Sequence, residues 1–180
     1  KGQGQALSFK ENKNILFITS GAGQLIKADV ITACKTGDII ETDESGDHYF
    51  SASDDTQLIH IAGYWKEPCG TKGIFNIENS DHPKNDGDPS PYDNDRRTDF
   101  DNHFHDCDEY WIILEGQLLV SSGNKTVILN AGDCLATPAG EHHDMIEIYQ
   151  PVRGIWFETS LKGQERQGHL WLHTLGPYKE

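Results

Sequence analysis

Residues His103-Phe104-His105-Asp106-Cys107-Asp108-Glu109 set two imidazoles one residue apart and a carboxylate four residues after the second. Successive side chains of an extended strand point to opposite faces, so His103 and His105 share a face. With Glu109 entering from the next strand, the two rings can converge on one metal ion, and a third imidazole from a distant strand would complete the set. The apolar run Tyr110-Trp111-Ile112-Ile113-Leu114 follows, and Gly116 ends it. Further on, Gly132-Asp133-Cys134-Leu135-Ala136-Thr137-Pro138-Ala139-Gly140-Glu141-His142-His143 combines turn formers with two adjacent histidines.

The spacing His103-x-His105-x3-Glu109-x6-Gly116 resembles the first motif of the cupin superfamily, and Gly132-x5-Pro138-x-Gly140-x2-His143 resembles the second. Together they fix eight residue types over roughly residues 99–160. The second motif usually closes with Asn four residues after its histidine, and here that position is Glu147, a change that bears on turn geometry more than on metal binding. The resemblance implies a cupin-type double-stranded antiparallel β-barrel (a jelly roll) with little helix. It also implies that His103, His105, Glu109 and His143 ligate a metal. Adjacent strand residues face opposite ways, so His143 is expected to hold the ion while His142 faces outward or stands behind the ligands.

The rest of the chain must position this set. Turn signals recur about every eight to twelve residues and no long segment has the 3.6-residue period, which predicts an all-β architecture. Residues 1–10 read as a frayed start. Strands are predicted at Asn14–Thr19, Gln24–Ala33, from Ile39, His48–Ala52 and Gln57–Tyr64. Residues 1–64 thus form an N-terminal β region, too short to close a barrel of its own. It is either a degenerate copy of the later unit, with Gly37-Asp38 and Gly46-Asp47-His48 echoing Gly132-Asp133 and Gly140 to His143, or an extension of its sheets.

Residues 65–98 change character, and Asn76 to Tyr92 is dense in turn formers. So long a connection is either a lid, with Tyr92, Arg96 or Arg97 meeting a ligand, or a solvated loop whose arginines balance nearby Asp residues. Residues 99–180 carry the metal-binding barrel and a C-terminal tail. Strands Ile146–Tyr149 and Val152–Thr159 are expected there, divided by a turn at Pro151, with Leu170-Trp171-Leu172 packing back on the barrel. His169 and His173 have no partner spacing and read as surface or interface residues.

A length of 180 residues allows one domain with a core and a sizeable extension. The net charge of −14 repels nucleic acid and anionic membrane surfaces, so neither is an expected partner. No apolar run approaches a membrane span. Met145 is the sole methionine, so Lys1 follows either a processing event, such as removal of a signal peptide, or further residues. Cys34, Cys69, Cys107 and Cys134 form no CxxC pair or disulfide framework, as expected of reduced thiols in a cytoplasm. Cys107 and Cys134 lie within the motifs and could approach the pocket, or serve as small buried apolar groups.

Three imidazoles and one carboxylate leave two positions of an octahedron for water and substrate. Such a set suits one divalent transition ion per chain, namely Mn, Fe, Ni, Zn or Cu. His48 and His60 of the N-terminal half lack the His-x-His pattern, so no second ion is expected there. The resemblance implies a metal-dependent enzyme on a small polar metabolite, foremost a sugar or sugar acid undergoing isomerisation, epimerisation or elimination. An Fe or Cu dioxygenase and a small-ligand-binding module without turnover are the alternatives. Unpaired edge strands, and the frequent pairing of cupins, lead to an expected homodimer.

Overall fold

The computed structural model describes residues 4–9, 13–42, 46–53, 55–64, 69–81, 96–159 and 168–170. All twelve regular elements among these residues are strands, in agreement with the all-β reading. The chain divides into two units, Lys1–Lys66 and Glu67–Glu180.

The first unit holds β1 (Gly4–Phe9), β2 (Lys13–Ser20), β3 (Ala22–Lys27), β4 (Val30–Lys35), β5 (Ile39–Thr42), β6 (Gly46–Ala52) and β7 (Gln57–Gly63). They form two antiparallel sheets, ordered β1-β6-β3-β4 and β5-β2-β7. Central strand β2 is buried from Asn14 to Thr19, so it reads as one apolar run rather than an alternating pattern. Phe9, Leu16, Ile18, Leu25, Cys34 and Phe50 make a core within this unit.

Two sequence expectations change here. The residues expected to fray contain β1, which pairs with β6 along its whole length. The single strand expected over Gln24–Ala33 is a hairpin of β3 and β4, turning at Ala28 and Asp29. Ala28 has φ of 49°, the left-handed geometry such turns need, without the Gly or Asn that usually announces it. These strands pair with one another and enclose a core within the unit.

The second unit contains β8 (Lys72–Ile77), β9 (Glu109–Ser122), β10 (Lys125–Asn130), β11 (Cys134–Thr137) and β12 (His143–Glu158). The sheet order is β10-β9-β12-β8, with β11 also paired to β9. Its core gathers Trp111, Ile113, Leu118, Val120, Met145 and Val152, with Phe75 and Trp156 packed against it. Strand β8 lies inside the segment expected to be loop. Its turn-rich continuation, residues 82–95 with Tyr92, lies outside the described residues.

Strand β12 runs straight through Pro151, where two strands and a turn were expected. Its pairing with β9 slips between Ile148 and Gln150 and again before Arg153. A proline has no N–H to give to a ladder, and a bulge is where none is required. Opposite it, Gly116 has φ of +87°, and a Cβ there would stand 2.2 Å from the Pro151 carbonyl oxygen. The motif glycine therefore lets two long strands bend past each other.

Candidate metal centre

The histidine pair lies on an extended segment before β9. His103 bridges β12 through reciprocal backbone bonds with His143, 2.8 and 3.2 Å long. Phe104 does the same with Leu170, at 2.9 and 3.0 Å. The Gly140 N–H donates to the His105 carbonyl at 2.7 Å, and the Ala139 N–H to Asp108 Oδ1 at 2.9 Å, which ties the second motif to the first. Upstream, buried Arg96 faces Asp144 at 3.7 Å and donates to the Phe100 carbonyl at 2.9 Å. Exposed Arg97 pairs with Glu147 at 3.4 Å. Both arginines thus meet acidic residues of β12.

These contacts bring His103, His105, Glu109 and His143 together. All four are buried, and one ligand atom from each lies within 4.8 Å of the others. Each ring presents its Nδ1 to a backbone carbonyl: His103 to Asp101 at 2.9 Å, His105 to Gly168 at 3.1 Å and His143 to Glu141 at 3.1 Å. Nδ1–H donation leaves each Nε2 with a bare lone pair aimed inward. His103 Nε2 and His105 Nε2 are 3.0 Å apart, His105 Nε2 and Glu109 Oε2 3.2 Å, and His143 Nε2 and Glu109 Oε2 2.7 Å. Among the described residues, neither Glu109 Oε2 nor His143 Nε2 has a hydrogen bond of acceptable geometry despite that closeness. Metal–nitrogen bonds of about 2.0–2.1 Å put adjacent ligand atoms about 3 Å apart in an octahedron, so the set fits a cation. The Trp111 indole N–H donates to Glu109 Oε1 at 2.9 Å and so aims Oε2 at the rings.

Electrostatics favour a cation at the same place. Burial pushes the Glu109 carboxyl up, but the close imidazoles of His105 and His143 outweigh it and hold it well below the usual carboxylate range. Burial pushes His103 down to about 4, against the pull of Asp101. His105 is raised: burial lowers it, and the nearby carboxylate of Glu109, with Glu158 beyond, more than compensates. The field that would keep a proton on His105 also favours a metal ion beside it.

Of the two adjacent histidines, His143 belongs to the cluster and His142 does not. His142 is nevertheless buried, its ring 4.9 Å from that of Phe104. His169 departs from the surface reading. Its ring lies flat on His103 at 3.6 Å, with 6° between the planes, and its Nδ1 is 3.2 Å from Asp101 Oδ2. No spacing rule finds it, because the backbone bridge of neighbouring Leu170 with Phe104 brings it there. His173 lies outside the described residues. Cys34, Cys69, Cys107 and Cys134 form no disulfide. Buried Cys107 is 3.9 Å from Glu158, and Cys134 is exposed.

A cavity of about 310 Å³ opens on His103, His105 and Glu109. The sequence reading missed two of its walls. Trp156 and Glu158 pair across the ladder with Trp111 and Glu109, and directly opposed residues share a face of the sheet. The two-residue spacing Glu109-x-Trp111 and Trp156-x-Glu158 was the available signal. Glu158 accepts from the Thr71 N–H at 2.8 Å and from the Thr71 hydroxyl, and stands 3.7 Å from His105 Nδ1.

Fold, motif spacing and buried ligand cluster define a member of the cupin superfamily, and the chain belongs to it. The family model described as a cupin domain matches residues 96–158. The uncharacterized protein y4oW of Sinorhizobium fredii is 35% identical over 167 residues, 92% of this chain and 76% of that protein. An IolB-like protein of Salmonella typhimurium is similar in structure, with a TM-score of 0.63 at 10% identity over 96% of this chain and 84% of that one. Bacillus subtilis oxalate decarboxylase, known for its Mn(II) centres, gives a TM-score of 0.60 at 10% identity over 93% and 68%. At such identity the likeness to these structures shows the fold alone. No helix among the described residues is long and apolar enough to cross a membrane.

Proposed function

We propose that the chain is a metal-dependent enzyme that rearranges a small molecule by proton transfer, as in isomerisation, epimerisation or elimination, without consuming O2. His103, His105, Glu109 and His143 hold one divalent ion, and Mn, Fe, Ni, Zn and Cu all suit the donor set. A bound ion would supply Lewis acidity to a substrate oxygen. The observation that carries the reading is the opening of the ligand cluster onto a cavity where two further ionisable groups, Glu158 and His169, stand beside the ligands. Glu158 is fixed by Thr71 and can exchange a proton with a carbon next to the bound oxygen. Trp111 holds the ligand carboxylate, and the apolar wall excludes water.

A sugar or sugar acid was the first substrate choice from the sequence, and it leaned on the polar stretch whose residues 82–95 lie outside the described structure. The described wall offers such a molecule few hydrogen-bond partners, so the proposal keeps the reaction class and not the sugar. The homodimer and the cytoplasmic site belong to the same reading. Support for pairing comes from edge strand β10, where Val127 and Ile128 are exposed, and support for the compartment from four cysteines outside any disulfide.

The test is incubation of metal-loaded protein in D2O, without O2, with a panel of small ketones and hydroxy acids. Metal-dependent deuterium uptake at carbon, slowed in Glu158→Gln, is expected. Substrate-dependent O2 uptake lost on removing iron would instead establish the dioxygenase, and tight binding without exchange or product the binding module.

A further inference from the structure

The wall above the ligand cluster has a chemistry of its own. Phe75, Ile77, Phe100, Trp111, Met145 and Trp156 line most of it among the described residues. Strand β8 brings Phe75 and Ile77 to the cavity, and Asn76 between them borders it as well. Gly73 leaves room for Trp156: a Cβ there would lie 1.9 Å from the indole ring. Phe100 meets Trp111 edge-on at 5.3 Å and tilts over His103 at 5.2 Å.

Beside the ligand cluster, the polar remainder is Thr71, Asn76, Glu158 and His169. Thr71 spends both its N–H and its hydroxyl on Glu158. His169 is stacked on His103. No Lys or Arg belongs to the described lining, so a phosphate or second carboxylate on a ligand body would meet no cation here. A polyol would lose water from hydroxyls that gain few partners. At the floor, a divalent ion facing a single ligand carboxylate keeps one positive charge, which matches one anionic oxygen head.

From this we propose that the cavity takes a small molecule with an apolar, preferably flat, body and one anionic oxygen-donor head. The head sits at the ligand cluster and the body lies between Trp156, Phe75 and Phe100. The inference rests on the metal centre proposed above and names the class of substrate for it.

Two hydroxamates separate head from body, because acetohydroxamate and benzohydroxamate share the chelating group and differ only in methyl against phenyl. Metal content per chain is measured first, and absence of metal would overturn the centre before any ligand is added. Titration calorimetry of the loaded protein is then expected to show benzohydroxamate at least about tenfold tighter than acetohydroxamate, since the phenyl buries more apolar surface. Fructose 6-phosphate is expected to bind more weakly than either. Trp156→Leu, or Phe75→Leu should the first not fold, should cut the phenyl preference to about threefold or less at unchanged metal content. Equal affinities for the two hydroxamates, or tighter binding of fructose 6-phosphate, would overturn the apolar-body assignment. Equal benzohydroxamate affinity with and without metal would overturn the placement of the head.

Discussion

Each ligand side chain is set by a partner behind it. The carbonyls of Asp101, Gly168 and Glu141 fix the three ring tautomers, and the Trp111 indole fixes the carboxylate. Loss of such a partner typically costs about 10- to 100-fold in metal affinity. Trp111→Phe keeps the aromatic bulk and removes only the N–H, so chelator competition should show metal binding weakened by about tenfold. His103 also makes stability depend on pH. The unfolded chain takes a proton on this ring near 6.5, and the folded chain refuses it until about 4. More protons are then bound unfolded than folded, so this contribution is complete above about 6.5 and is lost as pH falls toward 4. The raised pKa of His105 works in the opposite sense. Thermal melts of chelator-treated protein should therefore fall with pH across that window, and His103→Asn should flatten the curve. An unchanged slope in the variant would assign the dependence to other groups. The four residues that converge, His103, His105, Glu109 and His143, were legible in the sequence because both motifs carry them at set spacings. His169 was not, since an isolated bridge between Phe104 and Leu170, far apart along the chain, delivers it.

Among the elements, the strands of the barrel were readable where turn residues mark their ends. They were misread where backbone geometry acts without a marker. Ala28 turns a hairpin with no glycine, and β12 passes through a proline because a bulge absorbs it. Strand β8 was hidden in turn-rich surroundings, and only its pairing with β12 reveals it. The bend of β9 beside that bulge depends on Gly116. Gly116→Ala would force both a left-handed backbone and a clash with the Pro151 carbonyl. Denaturant unfolding should show a loss of about 2 kcal/mol or more, in keeping with strain of about 1–3 kcal/mol per forced residue. A change within about 0.5 kcal/mol would mean that the two strands can shift apart at no cost.

For the molecule as a whole, the two units differ in what they can bind. In the first, the Phe9 ring stacks on His48 at 4.0 Å and is tilted against His60 at 4.7 Å, and His60 Nε2 meets Asn14 Oδ1 at 3.0 Å. A phenyl ring thus fills the space between its two histidines, and no ligand cluster forms there among the described residues. We propose that this unit is a degenerate copy of the barrel that has lost its centre. With exposed Val127 and Ile128 on edge strand β10, light scattering at micromolar concentration should report a dimer, and the double variant Val127→Lys, Ile128→Lys a monomer. A wild-type monomer would contradict the pairing. The central claim is a single metal centre in the second unit, held by His143 and not by its neighbour. Its most direct test is elemental analysis of folded protein purified without a chelating column and dialysed after loading. Wild type and His142→Ala should each carry one ion per chain, and His143→Ala close to none. Two ions per chain in wild type, none at all, or a site emptied by His142→Ala and kept by His143→Ala would contradict the account.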